Sequence, residues 1–458
     1  MKEWLGKMNK KVKVVLGGKW GDEGKGKIAS RESKDADFVI RGTGGANAGH
    51  TIVFEGKKIA LHMVPGGIVY PQTKCLIGQG VVVDIPVLLE EIKALEKMGV
   101  PDVKERLKIS GRAHIVLPYH KALDELYERS KKSPIGTTKR GIGPCYADKD
   151  NRIGIRVYDL MLPREKLLKK FKEAILFHNT LLYANNIGIF SAEDLTHEYK
   201  LYGEMLSSMI VNGDVLTREA IEGNKKIVIE GAQAYRLDKD YGDYPNVTSS
   251  NCVTGGTLIG SHIPYSAVKE TIVVVKGYDT RVGNGPFPTE LKAYKKEDYL
   301  DKAIFDSKTF IGDLIREMGH EYGATTGRPR RTGWFDAVML KSAKYALGAD
   351  YLCINHMDTL GKIGQEVGYI KICTGYLYKG EEIDYYPDDI EITEIEPEPI
   401  YTTIKGGWNV SSDVRNYNEL PKKMKKVIRL IEETTGIPVK YIGIGPDNDD
   451  LVVRYNEI

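Results

Sequence analysis

This chain is short of the features that would assign it to a special class. Its 458 residues carry a formal charge of only +3, from 66 basic and 63 acidic side chains. No field of one sign is therefore available to draw nucleic acid or an anionic membrane, and any basic patch must be local. Cysteine is scarce: Cys75, Cys145, Cys252, Cys353 and Cys373 are odd in number and scattered, with no C-x-x-C pair. That argues against a disulfide framework or structural zinc and predicts a reduced, cytoplasmic chain. No apolar stretch is long enough to span a bilayer. The Lys-rich start MKEWLGKMNKKVKVVLGG has no apolar core or cleavage site of a secretory signal, so none is expected. Internal repeats and low-complexity linkers are missing too. One further absence is local. GGKWGDEGKGKIAS (17–30) satisfies G-x-x-x-x-G-K from Gly21 to Lys27, yet Ile28 stands where a phosphate loop carries its magnesium-ligating hydroxyl.

What is present reads as an α/β protein. VKVVLGG (12–18), DFVIRG (37–42), KCLIGQGVVV (74–83), KIVIEGA (226–232), TIVVVKGY (271–278) and DYLCINHMD (350–358) are mostly continuous apolar runs. Such runs suit strands buried on both faces. DIPVLLEEIKALEKMG (84–99) predicts a helix with Asp84 as cap, Pro86 in its first turn and Gly99 as its stop. Segments 164–186 and 420–436 are further amphipathic helices. The expected architecture is one large domain, residues 12–458 after an N-terminal extension 1–11. It is built on a central, mainly parallel β-sheet with helices on both faces and extra subdomains. The acidic stretch EITEIEPEPIY (391–401) reads as an exposed loop.

The chemistry concentrates in four glycine- or arginine-rich stretches. In the first loop, backbone N–H groups freed by glycine can close around an oxyanion, and Lys25 or Lys27 can neutralise phosphate. Asp22 is the odd element, because a carboxylate repels phosphate unless a metal or a proton lies between them. It can ligate magnesium in place of the missing hydroxyl, or act as a base on a group held beside the phosphate. RGTGGANAGHT (41–51) offers Gly44, Gly45 and Gly49 for close backbone approach, Asn47 as donor and acceptor, and His50 as a group titrating near neutrality. GATTGRPRRTGW (323–334) sets Arg328, Arg330 and Arg331 beside two threonines, a loop suited to a small anion. INHMD (354–358) ends a strand with the spacing N-x-x-D. A carboxylate there can accept both N1–H and the 2-amino group of guanine, which with a phosphate loop points to GTP.

Taken together, WGDEGKGK, GGANAGHT, IGTTKRGIGP, EGAQ, YPNVTSSN, TRVGNGPFPTEL and GATTGRPRRTGWFD, in order between about residues 12 and 455, resemble the adenylosuccinate synthetase family. The resemblance implies a GTP-dependent ligase of AMP biosynthesis that joins IMP to L-aspartate. It implies Mg2+ as cofactor, a cytoplasmic homodimer, and no nucleic-acid or membrane partner. Carried over by position, it makes Asp22 the proton acceptor and a metal ligand with the Gly49 carbonyl, His50 the acid, and Lys25 a catalytic cation. The IMP contacts would be Asp22, Lys25, Asn47, His50, Thr138, Gln233, Thr248 and Arg328, with Arg152 donated by the partner subunit. Thr325, Thr326, Arg328 and Arg330 would grip aspartate. GTP would lie on Gly21, Gly24, Gly26, Lys27, Gly49, Thr51, Arg330, His356, Asp358, Gly443 and Gly445.

The sequence departs from the family pattern at several of these points. The position of His356 usually holds lysine, and Gly443 replaces a polar residue. GPDN (445–448) stands where GP followed by a basic residue is usual, and Tyr235 and Arg236 bring bulk and charge after Gln233. Two other readings stay open. A relative acting on another purine nucleotide is disfavoured by Asp22, since viral variants typically replace that carboxylate. A catalytically inactive paralogue is disfavoured by the joint presence of Asp22, Lys25, His50, Arg328 and Arg330.

Overall fold

The stretch VKETIVVVK (Val268–Lys276) has four consecutive β-branched residues, Ile272 to Val275, with no exposed surface at all. Burying each such side chain is worth about 1.5–3 kcal/mol, which a strand covered on only one face could not realise. The structure is a computed structural model. It describes residues 10–54, 57–132, 135–291, 310–323, 327–388, 390 and 395–454, and the side chains of these except 51–54, 57 and 58.

Ten strands form the central sheet: β1 Val12–Gly17, β2 Phe38–Arg41, β3 Lys74–Ile77, β4 Leu107–Ser110, β5 Ile210–Val211, β6 Ile227–Glu230, β7 Val268–Lys276, β8 Tyr351–Asn355, β9 Val439–Gly443 and β10 Leu451–Val453. Their order is β10-β9-β8-β7-β1-β6-β2-β3-β4-β5. The pairs β6–β2, β2–β3, β3–β4, β4–β5, β7–β8 and β8–β9 are parallel, and β10 returns antiparallel on β9. This is the mainly parallel α/β sheet that the apolar runs predict.

The chain groups into two compact units. One takes Ala29–Ala232 and Thr248–Lys269 with the chain up to Val14; the other takes Val15–Ile28, Gln233–Val247 and Glu270 onward. The helices used below are α1 Lys25–Ser33, α2 Ile85–Met98, α3 Pro118–Ser130, α4 Ile142–Asp150, α5 Arg164–Ala184, α6 Met357–Val367 and α7 Lys422–Thr435. Helix α2 starts and stops as expected, with Gly99 left-handed at φ 93°, although the Asp84 side chain makes no capping hydrogen bond.

Two expectations are corrected. Segment 74–83 is not one strand: it breaks after Ile77 and resumes as Val82–Val83. A Cβ at Gly78 would stand 2.2 Å from the Gly260 carbonyl, and one at Gly80 would stand 2.2 Å from that of Gly42. The chain turns there because two other backbones pack against it. The acidic stretch is not all loop either, since Glu398–Lys405 is a strand paired antiparallel with Tyr369–Tyr378. Residues 391–394 of that stretch lie outside the described residues.

Candidate active site

In the second unit, the apolar strand β1 ends at Gly17 and the loop to α1 begins. Gly21, Asp22 and Gly24 all have positive φ, at 94°, 58° and 79°. For glycine this is free, and Asp is one of the few other residues that tolerate it. The loop wraps around its own acid. Glu23 is buried, and its Oε1 accepts the N–H groups of Gly21 at 2.7 Å and Lys19 at 3.2 Å. Glu23 Oε2 takes Lys25 Nζ at 2.9 Å. Lys19 is buried beneath, paired with Asp279 and lying 3.6 Å from the centre of the Phe335 ring. The sequence reading missed both Glu23 and Lys19 as anchors; an acid and a lysine inside a Gly-rich loop were the available signal. Gly26 lies in the first turn of α1.

Asp22 stands outward, with 44% of its side chain exposed, and accepts Arg330 Nε on Oδ2 at 2.8 Å. A chain of polar contacts starts there. Arg330 Nη1 donates to Glu321 Oε2 at 2.7 Å, and Glu321 Oε1 accepts Lys276 Nζ at 2.8 Å and the Tyr278 hydroxyl at 2.9 Å. That hydroxyl lies 3.3 Å from His356 Nδ1. Burial opposes charge on Glu321, but Lys276, and then Arg330, outweigh it and hold its carboxyl down at about 2. Burial likewise acts on His356, and with the nearby Lys276 it pulls the imidazole down to about 4. The ring is therefore uncharged near neutrality, unlike the lysine expected at that position.

His356, left-handed at φ 59°, precedes α6, and Asp358 lies in the first turn of that helix. Asn355, at the end of β8, donates to the Glu23 carbonyl at 2.8 Å and so ties the strand to the loop. Gly443 is explained by the same residue: a Cβ there would stand 2.6 Å from Asn355 Oδ1. Any side chain there would require Asn355 to shift. Lys27 does not point free as a phosphate counter-charge; its Nζ donates to the carbonyls of Gly445 at 2.8 Å and Asp450 at 3.0 Å. Burial lowers its pKa. Arg236 is not a free cation either. It is buried, its Nε donates to Asp243 Oδ1 at 2.9 Å, and its guanidinium lies 4.1 Å from the centre of the Tyr386 ring. Gln233, at φ 56°, has its Oε1 buried and without a partner among the described residues. Arg328 is exposed, and its carbonyl closes the anion loop on Gly323 N–H at 2.8 Å. Thr325 and Thr326 lie outside the described residues.

In the first unit, the Gly-Asn loop is pinned from beneath by buried Arg41, which donates to the Gly45 carbonyl at 2.8 Å and to that of His62. Asn47 Oδ1 accepts Gly45 N–H at 3.2 Å, and its Nδ2 reaches Thr248 Oγ1 at 3.4 Å. Sequence reasoning named both residues, and the fold joins them. His50 opens a strand, His50–Phe54, that pairs antiparallel with Lys57–Leu61 and sets Thr51 opposite Ala60. Its Nδ1 lies 3.2 Å from Glu230 Oε1, whose other oxygen accepts Gly66 N–H at 3.0 Å. His50 Nε2 is buried with no partner among the described residues. Burial lowers the imidazole pKa, opposed by Glu230. Glu230 is a second acid that sequence reasoning passed over, inside the quoted EGAQ. Gly49 and Thr138 are exposed, and so is Arg152, at φ 65° just past α4. These three make no contact with Asn47 or His50 among the contacts described.

The second unit thus holds a Gly-rich loop with an outward carboxylate and an arginine shared between it and a buried acid, and the first unit holds a histidine paired with a glutamate. A family model described as adenylosuccinate synthetase matches residues 14–452. The chain belongs to that family. The adenylosuccinate synthetase of Heliobacterium modesticaldum is 42% identical over 441 residues, 96% of this chain and 98% of its own length. The structure of fully ligated adenylosuccinate synthetase from Plasmodium falciparum matches with a TM-score of 0.85 at 37% identity, covering 97% of this chain and 100% of that one. The succinoaminodeoxyadenylate synthetase of cyanophage S-2L, bound to dGMP and dATP as an energy donor, matches with a TM-score of 0.58 at 18% identity, covering 97% and 95%. That last likeness is one of fold alone.

Proposed function

We propose that this chain ligates IMP and L-aspartate to adenylosuccinate, with GTP going to GDP and phosphate through 6-phosphoryl-IMP, as a step of AMP synthesis in the cytoplasm. The observation that carries the reading is family membership over residues 14–452 together with Asp22 presented at the tip of the phosphate loop. O6 of IMP is a poor nucleophile. Removal of the N1 proton by Asp22 moves charge onto O6, which attacks the γ-phosphorus of GTP. Lys25, and His50 once protonated and so able to donate from Nε2, stabilise charge on the transferring group. The aspartate amine then displaces phosphate from C6, its carboxylates held by Arg328 and Arg330. Asp358 accepts from the guanine edge.

Magnesium fits this donor set. No cluster of three or more acidic, His or Cys side chains is present among the described residues. Mg2+ characteristically takes one or two carboxylates and keeps water and phosphate oxygens for the rest. The Asp22 carboxylate and the Gly49 carbonyl would hold it, and when bound it would neutralise phosphate charge.

The test is a substrate panel. Purified protein with IMP, L-aspartate, GTP and Mg2+ should form adenylosuccinate, seen as a rise in ultraviolet absorbance. Turnover of a 2-amino purine nucleotide but not of IMP would transfer the chain to the activity class of the phage enzyme. Tight GTP binding without turnover of any purine would make it an inactive paralogue. In the same assay ATP should support less than about a hundredth of the GTP rate, because a carboxylate facing adenine loses both donors. Equal rates would remove Asp358 from guanine recognition.

We also propose the homodimer, with Arg152 reaching the partner's site. Arg152 is exposed, and α5 presents Leu176, Phe177 and Tyr183 at 73%, 68% and 75% exposure, an apolar face that a second copy would cover. A mixture of inactive Asp22→Asn and Arg152→Ala proteins should then regain about a quarter of wild-type activity, since each mixed dimer holds one intact site. An inactive mixture, with subunit exchange verified, would return Arg152 to its own subunit.

A further inference from the structure

Helix α3 carries His120, Asp124 and Glu128 four residues apart, so their side chains leave one face in a row. All three are buried. Each holds a successive point of the chain that follows. Glu128 Oε1 accepts the N–H of Gly136 and, at 3.2 Å, that of Thr137. Asp124 Oδ2 accepts the N–H of Gly141 at 2.9 Å. His120 Nδ1 accepts the N–H of Leu117 at 2.9 Å, which leaves the ring proton on Nε2, and Nε2 donates to Asp148 Oδ2 at 2.9 Å.

Asp148 is itself a hub. It also accepts His178 Nε2 at 2.8 Å and the Tyr119 hydroxyl at 3.1 Å. Burial opposes its charge, but the hydrogen bonds from His120 and His178 outweigh this and keep it a carboxylate, held at about 2. The Asp148 carbonyl accepts the N–H groups of Ile153 at 3.0 Å and Gly154 at 3.1 Å, closing the turn in which Arg152 stands at positive φ.

We infer that Asp124 and Glu128, with His120 acting through Asp148, are positioning residues for the nucleotide monophosphate. They set where loop 135–141 presents Thr138 and where the following turn presents Arg152. The inference rests on the proposed function and on the IMP contacts that the family resemblance implies, Thr138 within the subunit and Arg152 across the dimer. The composition of the loop suits a phosphate ligand: the Thr138 hydroxyl is followed directly by the cations Lys139 and Arg140. Two buried acids behind an anion-binding loop look counterproductive until their partners are counted. They spend the loop's own N–H groups, which an apolar residue could not satisfy, and leave phosphate to side chains on the outer side.

The test compares Asp124→Ala, Glu128→Ala and Glu128→Gln with wild type. The alanine variants should raise KM for IMP about tenfold or more, the cost of releasing buried N–H groups, while KM for GTP and aspartate stays within about twofold. Glu128→Gln should recover most of the loss, because its amide oxygen accepts the same N–H groups. An unchanged KM for IMP in folded alanine variants would overturn the inference. So would an equal rise for all three substrates with a lowered thermal midpoint, the mark of a merely structural helix. If wild type itself neither binds nor turns over IMP, the proposed function falls and the inference falls with it. Intact wild-type turnover with unaffected variants removes the inference alone.

Discussion

Asp22→Asn is expected to lower kcat by about 10⁴-fold, the upper end of what a positioned base contributes, while leaving the fold intact. The substitution is isosteric, and asparagine tolerates the left-handed backbone that residue 22 adopts at φ 58°. What it removes is the capacity to take a proton and the charge facing Arg330. The structural cost is small. The Asp22 side chain is 44% exposed, and an ion pair with one exposed partner contributes about 0–1 kcal/mol. Arg330 keeps its bond to Glu321 at 2.7 Å. The thermal midpoint should therefore move by only a few degrees while turnover is lost. A variant retaining more than about a tenth of kcat would take the base role from Asp22.

The second large effect is on stability. Glu321→Gln should cost about 3–5 kcal/mol at neutral pH, because it breaks a buried ion cluster by removing the anion and keeping the cations. Glu321 is 1% exposed and faces Lys276, Arg330 and the Tyr278 hydroxyl. The sign with pH follows from its depressed pKa. Its ordinary value is 4.5 and the folded value about 2, so the stabilisation is complete above the ordinary value and fades as pH falls toward 2. Denaturant unfolding at pH 7 and pH 3 should show the gap between wild type and variant narrowing at the lower pH. An equal gap at both would mean that Glu321 acts by packing, not charge. With its buried anchor neutralised, Arg330 should also hold aspartate less well, raising that KM about tenfold.

Much of the site was legible because its signals are local. The phosphate loop, the Gly-Asn loop and the arginine loop each sit within a dozen residues, and glycine spacing plus charge announces an anion there. The buried strands were legible because a run such as Ile272–Val275 has one comfortable environment. Three acids went unread. Glu23, Glu230 and Glu321 look like ordinary surface charges in one dimension, and only burial pairs them with the candidate residues Lys25, His50 and Arg330. The departures that set this chain apart from its family resolve in the same way. Arg236 is absorbed by Asp243, and Gly443 packs closely against Asn355.

By itself, then, the order of residues determined the strands, the helices and the family, since each depends on patterns a few residues long. Tertiary structure decided the charge states and the partners. Asp22 and Arg330 are 308 residues apart in the chain yet bonded at 2.8 Å, and His356 stays neutral well into the acid range because folding buries it near Lys276. Coulomb energy and desolvation depend on distance and burial in space, and neither can be read along a chain.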